Sequence, residues 1–482
     1  MRIIVLTLVC FLFCCANNFS NAECSPTLTF DEYANLANDK NYSDEVTEKV
    51  GQIFNFYELD NSISADHEFN GKIRVVSWDI SGGEEFEKLN LILAGDFKNS
   101  AKYLSQRCWN NSERLNKYKS DLGTIKDADV IILLNADKGQ PRSEYRDVAK
   151  ELAAEHGYNY LYTVNFIGVE SDVLESANPP DKEKYLGYTG TAILSKYPLS
   201  NIRKVNLPQY YDWYNDEKAL KLDLAKDEEK FPGVVQRSLY NITPDTKLGG
   251  RMALIADIQP AGAAEPITIA AVETENRTAP QNRLSQFQTL LNAVAKTDNP
   301  VIIGGNLNTT GLNESPFNIE KFIKEKLTAD NAALAVISAT VTNGSVLSLG
   351  ARGFNKVRMK TDPTGANIPL VYSNKERKLF DEIRDFTFLD GCKFATNSDG
   401  KTSAQGSDDA KFLANSNEYA NGRFVPTYYY NGFFAQGRYK TDWFIVKKLN
   451  PESPSTLGSF YTEFDVPVST HAPIVITVSS EK

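Results

Sequence analysis

The chain has 482 residues, 41% hydrophobic and 24% charged, with a formal net charge of −10. That apolar content can bury a large core, as one big α/β domain or two smaller ones. The acidic balance lacks the summed positive field that draws proteins to nucleic acid, so a nucleic-acid partner is disfavoured.

The opening "MRIIVLTLVCFLFCCANNFSNA" (1–22) reads as a cleavable secretory signal, with Arg2 as its positive start and Ile3 to Cys15 as its apolar segment. This segment is shorter than the roughly 20 residues that span a bilayer, so the expectation is export, secreted or periplasmic, with no transmembrane anchor. Cleavage removes one basic residue and no acid, so −10 becomes −11. Of six cysteines, Cys24, Cys108 and Cys392 then remain, which excludes a disulfide scaffold.

Residues 23–70 read as a polar N-terminal extension with short helical stretches. From Lys72 the pattern changes. "KIRVVSWDI" (72–80) and "DADVIILLN" (127–135) are predicted strands, the second with the continuous apolar run of a strand buried on both faces. Between 141 and 157, Tyr145, Val148, Ala149, Leu152 and Ala153 share one face of a predicted helix that stops at Gly157. Strands follow at 158–170 and 189–199, and "RMALIADIQP" (251–260) with "ITIAAVETE" (267–275) predicts an antiparallel pair. An amphipathic helix (281–296), the strand "PVIIGGN" and strands at 441–449 and 472–478 close the domain. The charged run "DEKALKLDLAKDEEK" (216–230) reads as a solvated helix face, and residues from about 311 to 430 read as large loop insertions. Helices and hairpin-like strand neighbours together fit a mixed two-sheet layered domain over 71–482.

Five polar strand ends fall where such a domain would gather them. They are Asp79, Asn135 to Asp137, Glu273 with Glu275, Asn306 with Asn308, and "STHAP" (469–473). In order, the motifs "VVSWDISGG", "DADVIILLN", "GYTGTAILSKYPL", "VETENRTAPQNRLSQ", "IIGGNLNT", "TDWFIV" and "STHAPI" resemble the endonuclease/exonuclease/phosphatase superfamily, the deoxyribonuclease-I-like fold. The resemblance implies an α/β four-layer sandwich, two packed mixed β-sheets flanked by helices. It also implies metal-assisted attack of water on a phosphate ester.

Carried over position by position, the resemblance keeps three family residues: the closing His as His471, its orienting Asp as Asp442, and the phosphate-binding Asn as Asn308. Elsewhere the chain departs from the pattern. The Asp of the Gly-Asp-x-Asn motif is Asn306, the donor His is Glu273, and the Asp before the closing His is Thr470. The metal-binding Glu has no match, since Ala136 follows "LLN" and Asp137 sits one place late, on the opposite face of a regular strand. Asn276 and Arg277 belong to the family-like run as substrate-binding candidates, with Arg283 and Gln286 locking the next helix to the strand.

The expectation is therefore an exported member of this superfamily whose phosphoesterase site has degenerated, acting by binding a protein or a phosphate-ester ligand. The first alternative is an active metal-dependent phosphoesterase with rearranged ligands, Asp79 and Glu273 replacing the missing carboxylates and Asp137 a further metal candidate, holding Mg²⁺ or Ca²⁺. The second is a structural or adhesive protein using its insertions and the aromatic runs at 210–214 and 428–434.

Overall fold

The computed structural model describes residues 26–38, 42–63, 69–174, 181–230, 245–311, 313–315, 376–395, 419–420, 423–431 and 436–480. The leading segment 1–22, Cys24 and most of the expected 311–430 insertions lie outside these residues. Among them no helix is long and apolar enough to cross a membrane.

Thirteen strands build two sheets: β1 (Tyr57–Asp60), β2 (Lys72–Gly82), β3 (Val130–Lys138), β4 (Asn159–Gly168), β5 (Tyr188–Ser195), β6 (Leu199–Asn206), β7 (Lys247–Gly249), β8 (Met252–Ile258), β9 (Ile267–Glu273), β10 (Val301–Asn306), β11 (Asp442–Lys447), β12 (Leu449–Thr456) and β13 (Ile474–Ser480). The eight-stranded sheet runs β1-β4-β5-β3-β2-β13-β12, with β7 paired to β4, and the five-stranded sheet runs β11-β10-β9-β8-β6. Both sheets are mixed: β2–β3 and β9–β10 are parallel, the other pairs antiparallel. The longer helices are α1 (Phe30–Asn38), α2 (Asp44–Asn55), α3 (Phe86–Leu93), α4 (Ser112–Lys126), α5 (Val148–His156), α6 (Asn215–Lys230), α7 (Pro280–Val294) and α8 (Arg377–Asp385).

Side-chain alternation stacks these elements into four layers. On β2, Ile73 and Val75 join Ile132, Leu134, Leu254, Ile269, Ile302 and Phe444 in a core between the sheets. The alternate residues Val76, Trp78 and Ile80 meet α3, α4 and α5 on the outer face. On β10, Val301 and Ile303 turn outward to Phe287 and Leu290 of α7 and to Phe380 of α8. Strands buried on both faces explain the unbroken apolar runs of β3, β8 and β9. The expected four-layer, two-sheet architecture is the one observed.

Two local expectations are corrected. The helix after Pro141 begins at Val148, where the Asp147 side chain accepts from Lys150 N. Tyr145 lies before it, in a turn where Glu144 and Tyr145 have φ of 57° and 60°. The acidic run 216–230, read as a solvated helix face, does form α6, but Glu217 and Leu220 on it are fully buried. Residues before 71 supply β1, an edge strand of the larger sheet paired from Tyr57↔Thr163 to Asp60↔Tyr160.

Candidate functional site

Strand register gathers the polar residues. Asn306 at the end of β10 lies opposite Glu273 of β9 on one side and Asp442 of β11 on the other. On their strands Ala271, Ile302 and Phe444 face the other sheet. Two-residue alternation therefore turns Glu273, Asn306 and Asp442 the same way, as one row. Asp79 meets this row from β2, which shares the parity of Ile73 and Val75.

Gly304 and Gly305, the break in "VIIGGN", let this row form. Gly305 has φ of 153°, and a Cβ there would collide with the Val272 carbonyl of β9. A Cβ on Gly304 would lie 2.8 Å from Ile132 in the facing sheet.

On β3 a bulge decides which residue enters the site. The β3–β5 pairing slips between Leu133 and Ala136, with Asn135 at φ 53°. Ala136 then packs into the outer, helix-facing core, and Asn135 Nδ2 donates to Asp79 Oδ2 at 2.9 Å. Asn306 Nδ2 donates to the same oxygen at 3.3 Å.

His471 is buried just before β13 and binds Asp442 Oδ2 through Nδ1 at 2.9 Å, while its Nε2 lies 3.8 Å from Asp79 Oδ2. Burial works against charge on the imidazole, but the fields of Asp442 and Asp79 and the bond to Asp442 push its pKa up to about 9. Tyr428 stacks on the ring at 4.6 Å and 20°.

Glu273 and Glu275 are both buried, and Arg251, just before β8, reaches both. Its Nη1 is in ion-pair contact with Glu273 Oε2 and its Nε lies 3.5 Å from Glu275 Oε2, neither aligned as a hydrogen bond. Burial pushes the Glu273 carboxyl up to about 7 against the pull of Arg251, with Asp79 adding to the rise. Trp213 Nε1 donates to Glu275 Oε2 at 2.8 Å.

Other candidates serve the scaffold. Asp137 accepts from Arg142 at 2.6 and 2.8 Å and from Thr189 at 2.8 Å, a pairing that satisfies it away from the Asp79 cluster and corrects its place as a metal candidate. Asn308, in a left-handed conformation at φ 48°, donates through Nδ2 to Thr274 O at 2.6 Å. The Thr470 hydroxyl is exposed and meets Ser81 Oγ at 3.2 Å. Arg277 pairs with Glu217 and lies 4.2 Å over Trp213, while the peptide oxygen of Asn276 accepts from Glu314 N at 3.1 Å. Arg283 and Gln286 do lock α7 to the strand. Gln286 Oε1 accepts from Glu275 N at 2.8 Å, and Arg283 donates to Thr278 O at 2.8 Å.

Arg251 and the part played by Asn135 are what sequence reasoning missed. A visible signal for Arg251 was a lone cation opening the apolar run "RMALIADI" beside two acids on the neighbouring strand.

A hard divalent cation needs several anionic oxygens free to face one point. Here Asp79 Oδ2 takes two amides, Glu273 and Glu275 face a guanidinium, and Asp442 holds His471. Among the described residues no three acidic, histidine or cysteine side chains stand where they could share an ion. The residues present do not fit a divalent metal of the kind the resemblance implies.

No protein-family model and no curated protein matches the chain. Among solved structures it is similar to an endonuclease/exonuclease/phosphatase from Beutenbergia cavernae, at 12% identity over 85% of this chain and 72% of that one, with a TM-score of 0.35. It is also similar to the human Nocturnin catalytic domain with bound sulfate, at 14% identity over 86% and 97%, TM-score 0.38. A third is ANGEL2, a 2',3'-cyclic phosphatase, in complex with adenosine-2',3'-vanadate, at 13% identity over 89% and 99%, TM-score 0.37. At such values the likeness adds nothing about chemistry, which rests on the residues themselves.

Proposed function

We propose that this chain is an endonuclease/exonuclease/phosphatase-type protein that has lost metal-assisted hydrolysis and works by binding. The observation that supports this reading most is the self-pairing of the rim, where every carboxylate is met by an amide, a guanidinium or an imidazole of the chain itself. Asn306 and Asn135 stand beside Asp79 as amides, and an amide cannot take a proton from water at neutral pH. Loss of a single catalytic group commonly costs about 10²–10⁴-fold in rate, and several family positions differ here at once.

Charge points the same way. Asp79, Glu275 and Asp442, with Glu273 only partly ionised near neutral pH, outnumber Arg251 and His471, so an anionic phosphate ester meets net repulsion. Two like charges at about 4 Å repel by about 1 kcal/mol in water and by several times that where water is excluded. A neutral or protein ligand suits the rim better.

The test is hydrolysis of DNA, phospholipid vesicles and a nitrophenyl phosphodiester with Mg²⁺, Mn²⁺ or Ca²⁺ at millimolar concentration. The expected result is no turnover above the metal-only blank. Turnover that His471→Ala abolishes would overturn the proposal. The rival, an active enzyme with Asp79 and Glu273 as relocated ligands, draws on two buried carboxylate oxygens that lack a hydrogen-bond partner, Glu273 Oε2 and Asp442 Oδ1. It requires divalent ions to raise the melting temperature, which the binding reading does not. Export through the 1–22 segment completes the proposal, and N-terminal sequencing of the mature protein checks it: a first residue at Glu23 is expected.

A further inference from the structure

We infer that the open cavity between α2, the 209–214 loop and β7 is a binding site for an uncharged saccharide. Its volume is about 600 Å³, within the range of small-molecule sites, and its walls include Tyr42, Phe54, Gln209, Tyr210, Trp213 and Lys247. It stands apart from His471, though Trp213 touches both regions through its bond to Glu275. The inference goes beyond the proposed function and does not depend on whether the His471 cluster is active.

The fold builds this cavity with care for close approach. Gly249 has φ of 110°, and a Cβ there would collide with Asn165 O and crowd Phe54. A Cβ on Gly250 would strike Gln209. Two glycines thus let the floor of the cavity run directly under the ring of Phe54 and the amide of Gln209.

Charge decides the ligand class. Among the described lining residues the one cation, Lys247, is ion-paired with Asp245, and nearby Arg277 is paired with Glu217, so an anion gains little there. A ligand cation finds the Trp213 face already taken by Lys247 at 3.8 Å and Arg277 at 4.2 Å, and the Asp212 carboxylate already engaged by Tyr214 N and by the backbone and side-chain amides of Asn215. The same two groups occupy Trp213 as a stacking partner, and its ring stands at 79° to that of Tyr211, so these two rings do not form a parallel pair that could sandwich a nucleobase. What remains is uncharged and amphipathic.

Tyr210 supplies the platform, 40% exposed in a loop whose neighbours Tyr211, Trp213 and Tyr214 are buried. Rings of this kind present a broad apolar face with a polar edge. Around it stand the acceptor oxygens of Gln209 and Asp212 beside the Lys247 ammonium and the tyrosine hydroxyls. Gln209 donates through Nε2 to Gly249 O at 2.6 Å, which leaves Oε1 as the amide's acceptor, and Asp212 contributes a carboxylate that already caps Tyr214 N and Asn215 N. Acceptors at the edge of an aromatic platform match a ring with C–H bonds on its face and hydroxyl donors on its rim.

The test is calorimetric titration of the full chain at pH 7 with maltose, cellobiose, lactose, mannobiose and diacetylchitobiose, with adenosine as the flat, non-saccharide control. At least one disaccharide should bind with a Kd of about 1 mM or tighter. Tyr210→Ala should weaken it about tenfold or more without lowering the melting temperature, the scale of one lost ring contact. Gln209→Ala should weaken it as well, and His471→Ala should leave it unchanged. If no saccharide binds up to about 20 mM, if Tyr210→Ala binds as the wild type does, or if adenosine alone binds, the inference is overturned. The phosphodiester assay is untouched by any of these outcomes, so the two proposals fail separately.

Discussion

His471 carries a pH signature that a surface histidine would not. Its pKa rises from the ordinary 6.5 to about 9 on folding, so the folded state holds a proton that the unfolded chain releases above about 6.5. The stability this contributes is complete below pH 6.5 and is lost as pH climbs through 9. Integrated over the shift it is about 3 kcal/mol. Urea denaturation of the wild type should therefore show stability falling between pH 6.5 and 9, and His471→Gln should flatten that slope. Arg251 is the second decisive residue. Arg251→Met leaves Glu273 and Glu275 buried against an apolar side chain, and breaking a buried pair in this way costs about 3–5 kcal/mol. The combined change Arg251→Met, Glu273→Gln and Glu275→Gln should recover part of the loss. A single substitution with no effect on the denaturation midpoint would show that the guanidinium does not hold these acids. None of this was legible at the level of residue type. Glu273 looked like a carboxylate set where a donor belongs, and only its guanidinium partner shows how the chain tolerates it.

At the scale of elements, strand parity and register carry the site, and glycine makes the parity possible. Gly305→Ala would force the Val272 carbonyl away from β10, breaking the β9–β10 pairing beside Asn306. The expected loss is about 3 kcal/mol, since a rigid backbone carbonyl must move. Gly262→Ala is the control in open space, strained only by its φ of 87° and expected to cost less. Equal losses in the two variants would sink the packing explanation. The apolar runs of β3, β8, β9 and β10 were readable because strands buried on both faces leave few polar alternate positions. The β3 bulge was not. Its left-handed residue is Asn135, a type that tolerates that conformation, but "LLNAD" fixes neither the slip nor its place. Regular alternation would have put Ala136 where Asn135 now points.

For the molecule as a whole, the N-terminal residues are part of the sandwich. β1 covers the β4 edge, and Tyr33, Leu36, Val46, Val50 and Ile53 of α1 and α2 join the outer core of the larger sheet. Burying five such side chains is worth about 10 kcal/mol, comparable with the entire stability of a typical domain. A chain starting at Asn61 should therefore lose cooperative folding and aggregate through the bared β4 edge, read by size-exclusion chromatography and urea titration against a chain starting at Glu23. Full solubility with an unchanged midpoint would show that these residues are an appendage.

The sequence alone determined the layers. Period-two alternation, helix stops such as Gly157 and the order of polar strand ends sufficed for two packed mixed sheets, because those signals are local, while the Asp442–His471 pair was read from the resemblance of "TDWFIV" and "STHAPI" to the superfamily's motifs. Tertiary structure alone decided the chemistry. Whether Asp79, Glu273 and Glu275 hold an ion or are held by Asn135, Asn306 and Arg251 depends on side chains brought together from β2, β3, β9, β10 and the residue before β8. A charge's behaviour in a buried site is set by the partners within a few ångströms, and their sequence separation carries no trace of that distance.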